Sequence, residues 1–130
     1  MSVYRPPNAD VTLFTDYFDS ILSSINNKNP CYIAGDFNID LLKYDSNMPT
    51  TDYVNCIFSQ SFLPTINKPK MVTDTSATLI DNIATDANLQ NSISSIIYVD
   101  ISDHFPEFLQ THLLIKPAVK PCFIYKRNFT

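Results

Sequence analysis

The sequence predicts a layered fold of mixed helix and strand, α/β or α+β, with a sheet covered by helices. Three observations carry that expectation. Apolar residues recur at helical steps from Val11 to Ile25; a wholly apolar run, Cys31 to Ala34, lies between a proline and Gly35; and three later stretches have strand length and polar boundaries. With 130 residues, of which 45% are hydrophobic and 12% aromatic, the chain has the size and composition of one domain with a core.

The elements follow in order. Val11, Phe14, Phe18, Ile21, Leu22 and Ile25 trace one face of a helix, which Asn8 or Asp10 can cap and which Asn26-Asn27-Lys28-Asn29-Pro30 stops. Cys31-Tyr32-Ile33-Ala34 reads as a strand buried on both sides. Tyr53, Val54, Ile57 and Phe58 mark a second helix, with Thr50 or Thr51 as its cap. Leu63-Pro64-Thr65 is a short extended piece, and 68–76 a polar connection. Thr78 to Thr85, Ile93 to Val99 and Phe105 to Ile115 are read as strands. From Lys116 to Thr130, four basic residues and two prolines suggest a linker or tail, so the domain is placed at 1–115.

Composition narrows the function. Nine basic residues against thirteen acidic give a net charge of −4, the wrong sign for a protein that holds nucleic acid by charge alone. Phosphate chemistry assisted by a bound cation remains open, because the ion supplies the local positive charge. No run of about 18 apolar residues occurs, and the start lacks the apolar segment of a secretory signal, so a soluble intracellular protein without membrane contact is expected. Cys31, Cys56 and Cys122 are odd in number and lack Cys-x-x-Cys spacing, which argues against zinc and disulfides and for reduced thiols. The Asn128-Phe129-Thr130 triplet is read as a chance sequon.

Four short motifs could carry chemistry. In Gly35-Asp36-Phe37-Asn38, extended geometry would put Asp36 and Asn38 on one side and Phe37 in the core. That carboxylate and carboxamide could hold an attacking water, although the same wording also makes a good turn. In Ser102-Asp103-His104, Asp103 could bind a divalent cation and His104 a phosphate oxygen, or the segment could be a capped loop. In Ser76-Ala77-Thr78-Leu79-Ile80-Asp81, alternation puts Asp81 on an apolar face, where it needs a donor such as His104 unless it reaches water at a sheet edge. In Tyr4-Arg5-Pro6-Pro7-Asn8, the prolines hold the chain extended, and Tyr4 could offer its hydroxyl to a phosphate or simply pack in a loop.

Taken in chain order, from Tyr4 to His104, the four motifs resemble the C-terminal half of the endonuclease/exonuclease/phosphatase superfamily. The wording Tyr-Arg-Pro-Pro-Asn, Ser-Ala-Thr-Leu-Ile-Asp and Ser-Asp-His-Phe-Pro looks most like its non-LTR retrotransposon endonucleases. The resemblance covers about residues 3 to 115. It implies part of a DNase I-like α/β sandwich, about half of the domain, with a mixed sheet and helices on the outer face. It implies phosphodiester hydrolysis with Mg²⁺ or Mn²⁺, DNA as substrate, a nuclear setting, and a reverse transcriptase domain following in an intact element. Carried over by motif, Asp36 activates or positions the water with Asn38 in support, and His104 contacts the scissile phosphate, held by Asp81. Tyr4 donates to the phosphate, Asp103 belongs to the metal site, and Thr78 lies near bound DNA. The family domain is about twice this long, and its N-terminal Asn and metal-binding Glu have no counterpart here. Asn82 stands where many relatives have His, and Glu107 where an apolar residue is usual. The expectation is therefore a fragment whose sheet lacks its partner layer. Two other readings stay open: a non-catalytic remnant that pairs with another chain, and a phosphatase of the same superfamily.

Overall fold

The structure, a computed structural model, describes residues 1–26, 28–69, 71–72, 76–99 and 105–111. The tail read at 116–130, and Asp103 and His104, lie outside these residues. In chain order the elements are β1 (Ser2–Tyr4), α1 (Val11–Ser24), β2 (Tyr32–Asp36), a 3₁₀ turn (Leu41–Lys43), α2 (Met48–Ser59), β3 (Leu63–Pro64), β4 (Met71–Val72), β5 (Ala77–Thr78), β6 (Asp81–Thr85), β7 (Ile93–Ile96) and β8 (Glu107–Gln110). No described helix is long and apolar enough to cross a membrane.

α1 forms where the periodicity places it. Asp10 caps it, accepting from the Leu13 amide at 2.8 Å, and the helix gives way at Ile25, ahead of the Asn-rich stretch. α2 begins earlier than its apolar pattern suggests. Its cap is Asn47, not Thr50 or Thr51, and the Asn47 carboxamide oxygen takes both the backbone amide and the hydroxyl of Thr50 at 3.1 Å. Pro49 in the first turn needs no amide partner there, which is why a helix tolerates it. The two helices are stitched by Asp19, which accepts from the Gln60 side chain at 2.8 Å.

One four-stranded sheet, in the order β1-β2-β6-β3, organises the chain. β1 runs parallel to β2, and β6 runs antiparallel to both β2 and β3. Val3, Ile33, Phe37 and Ala84 face the helices, where Phe18, Leu22, Tyr53, Val54 and Ile57 complete the core. Phe18, Phe37 and Tyr53 interlock there, with ring centroids 5.7 to 6.0 Å apart. Asn82, also on this face and buried, works as a piece of backbone. Its oxygen accepts from the amides of Thr65 and Ile66 at 3.1 and 3.2 Å, while its nitrogen donates to the Ile66 carbonyl at 2.8 Å, so the β3–β6 pairing continues beyond the two paired residues of β3.

Four strand expectations need correction. The β2 strand is buried on the helix side only: Ile33 is fully buried and Ala34 is exposed. The stretch from Thr78 to Thr85 is two strands, because β5 leaves to pair with β4, a strand within the supposed polar connection 68–76. β7 ends at Ile96, short of Val99. β7 and β8 pair with each other, and β8 begins against the face of the main sheet that the helices leave open.

Candidate functional site

Sheet register builds the site. Tyr4 is the register partner of Asp36 across the parallel β1–β2 pair, and Asp36 is the partner of Asp81 across the antiparallel β2–β6 pair. All three lie on the open face, because their neighbours Val3, Gly35 and Asn82 face the helices. A phenol and two carboxylates thus form one row across three adjacent strands, about 4.8 Å from strand to strand. Tyr4 is 67% exposed and Asp81 only 8%, so the row runs from solvent into the protein. β3 pairs with β6 only at Ala84 and Thr85, so Asp81, at the start of β6, has its strand partner on the β2 side, and it is buried there all the same.

A cleft of about 320 Å³ opens beside this row, lined by Asp36, Asp81 and Ile83 from the sheet and by Phe105, Pro106 and Glu107 from the start of β8. Glu107 was not singled out as a site residue by the sequence. Its only signal was a carboxylate in a strand where an apolar residue is usual, and the fold turns that irregularity into a third carboxylate at the cleft.

Gly35 is explained by the close approach of β1. A Cβ at this position would lie 1.9 Å from the Val3 carbonyl oxygen, so only glycine lets the two strands pair with Tyr4 beside Asp36. The room goes to backbone.

The extended reading of Asn38 is corrected. β2 ends at Asp36, and Asn38 has φ +50°, a left-handed conformation that asparagine tolerates better than most residues. The Asp36 carboxylate accepts from the Asn38 amide at 3.0 Å, fixing a turn, and the Asn38 carboxamide donates to the Arg5 carbonyl at 2.8 Å. The Asp36 side chain is thus turned to the Asn38 backbone amide, and the Asn38 side chain to the Arg5 carbonyl, as the turn reading has it.

Arg5 completes this corner. It is 3% exposed and donates through Nε to the Phe37 carbonyl at 2.7 Å, through Nη2 to the Asn38 carbonyl at 2.5 Å and through Nη1 to the Ala9 carbonyl. Thr78 stands apart: it belongs to the β4–β5 pair, three residues before Asp81. No group of three or more metal-ligating side chains converges among the described residues. Mg²⁺ needs no such cage, since one or two carboxylates and waters suffice.

Comparison with known proteins shows the family. The family described as endonuclease-reverse transcriptase matches residues 1–108. A solved structure of an endonuclease/exonuclease/phosphatase family protein from Leptotrichia buccalis C-1013-b is similar in fold, with a TM-score of 0.54 and 22% identity, over 76% of this chain. The present chain spans 42% of that protein. No curated protein matches the sequence.

Proposed function

From the premise that this chain belongs to the endonuclease-reverse transcriptase family, we propose that it carries the C-terminal part of a metal-dependent site that cleaves DNA phosphodiesters, as in non-LTR retrotransposon endonucleases. The observation that supports this reading most is the row Tyr4, Asp36, Asp81 across three strands, ending in an acidic cleft. Those residues are far apart in sequence, and a sheet that served packing alone would not need a phenol and two carboxylates aligned there.

The division of labour follows from chemistry and position. Asp36 takes up or orients the proton of an attacking water, and Asn38, turned beside it, supplies both a donor and an acceptor to the same water. Tyr4, at the exposed end of the row, donates to a non-bridging phosphate oxygen. His104 is bonded to Phe105, which lines the cleft; in this reading Asp81 orients its imidazole so that it faces the phosphate. Mg²⁺ or Mn²⁺, held by Asp103 with carboxylate help from the cleft, would neutralise charge that builds on the phosphate. Thr78 would touch the DNA strand beyond the row. The bound cation also answers the net charge of −4, since the protein's own charge would otherwise repel the substrate.

Nicking of supercoiled plasmid tests the assignment. Activity should require Mg²⁺ or Mn²⁺ and vanish in Asp36→Ala and in His104→Ala; nicking that persists in both variants rules out the roles given. Release of phosphate from phosphorylated lipids or sugars without nicking would move the reading to a phosphatase. A second reading is supported by the sheet face that the helices leave open. In it the chain is a non-catalytic unit that associates with another chain, and it predicts no nicking with any metal together with an oligomer in size-exclusion chromatography.

A further inference from the structure

The proposed chemistry gives Arg5 no task, yet Arg5 is buried beside an exposed Tyr4. Three consecutive carbonyls receive hydrogens from this one residue: Asp36 from its backbone amide at 2.9 Å, Phe37 from Nε at 2.7 Å and Asn38 from Nη2 at 2.5 Å. Asn38 returns a bond to the Arg5 carbonyl at 2.8 Å, and Nη1 reaches the Ala9 carbonyl just ahead of α1. The clasped segment is the one where β2 stops and the chain turns through the positive φ of Asn38. Within the described residues the guanidinium meets only carbonyl oxygens. A buried cation is costly, and an apolar side chain would fill the same space with less penalty, so what the guanidinium adds here is directed hydrogen bonding rather than packing.

We propose that Arg5 is a positioning residue whose guanidinium fork sets the Asp36-Phe37-Asn38 turn and thereby aims the Asp36 carboxylate into the cleft that it lines. The catalytic consequence rests on the nuclease reading, whereas the clasp itself does not. Lysine cannot replace the fork: its single ammonium has no planar set of donors for carbonyls that diverge.

The test compares the full chain with its Arg5→Lys variant by NMR and by plasmid nicking in Mg²⁺. In the wild type, Asn38 should give the strong intraresidue NH–Hα NOE of a left-handed residue, and the Arg5 Nε–H should exchange slowly. In the variant that NOE should weaken and shift changes should stay near residues 5–9 and 36–39. Its kcat should fall at least about tenfold, with KM for DNA held within about twofold, because misaimed groups impair turnover more than binding. An arginine that only supported the fold would lower thermal stability while leaving the Asn38 NOE and kcat intact, and that result overturns the proposal. Should the variant not fold, an Arg5 Nε–H in the wild type that exchanges as fast as in an exposed arginine overturns it alone. If the wild type nicks nothing in Mg²⁺ or Mn²⁺, the nuclease reading falls, and the Asn38 NOE still decides the clasp.

Discussion

At the scale of single residues, Gly35 shows how little room the fold leaves for substitution. Gly35 faces the Val3 carbonyl at a distance no Cβ can occupy, and the obstacle is backbone, which cannot swing aside. Gly35→Ala should therefore cost about 3 kcal/mol, the upper end for overpacking, and shift the urea midpoint accordingly. A midpoint unchanged from wild type would show that β1 does not pair with β2 in solution. Cys56 offers a chemical readout. Burial pushes its thiol up to about 12, with the Asp19 carboxylate, 3.6 Å from the sulfur, adding to the rise. The folded state thus holds the proton more tightly than the unfolded state, whose thiol keeps its ordinary value of 9.0. Stability from this thiol is complete below pH 9 and is lost as pH climbs toward 12, so alkaline unfolding should become shallower in Cys56→Ser. Iodoacetamide at pH 8 should label Cys56 far more slowly in the folded chain than in urea.

At the scale of elements, local signals in the sequence were legible when a side chain's own chemistry fixed the outcome. The Phe14, Phe18, Leu22 stripe placed α1 because a 3.6-residue period has no other good solution, and Asp10 caps as its position suggests. α2 was legible in its middle and misread at its start, since Asn47, Met48 and Pro49 carry no apolar periodicity; the cap is set by the Asn47 bond to Thr50. Asn47→Ala should therefore cost about 1 kcal/mol, with Thr50→Ala losing the hydroxyl bond but not the cap. If the two variants fall equally and far more than this, the Thr50 side chain, buried at 4% exposure, matters through packing instead. The motif residues were legible as a set, but their arrangement was not. Strand alternation correctly separates Asp81 from Asn82, whereas the turn at Asn38 and the clasp of Arg5 depend on a contact 33 residues away in the chain. Glu107 could not be assigned to the cleft without knowing that β8 begins over the main sheet.

At the scale of the whole molecule, the described residues pack a full layer against one side of the sheet only. The helix face is closed by aromatic packing, while Tyr4 and Ala34 on the other face are exposed and Ile83 is half-buried at the cleft. β8 begins over Asp36, Asp81 and Ile83, and the Tyr32 hydroxyl reaches Thr111 at 3.4 Å. In a two-layer domain such a face would pack against a second sheet about 10 Å away. The same openness that would admit a substrate to the row leaves apolar surface in water. Folded protein, well below its thermal midpoint, should enhance the fluorescence of anilinonaphthalenesulfonate. Ala34→Lys, which puts a charge between Tyr32 and Asp36 on that face, should cut the enhancement by about half. The urea midpoint should move little, because an exposed strand position tolerates lysine to within about 0.5 kcal/mol. Equal dye binding by wild type and Ala34→Lys would mean that the face is already covered in solution, and Asp36 and Asp81 would then be closed to a substrate as large as duplex DNA.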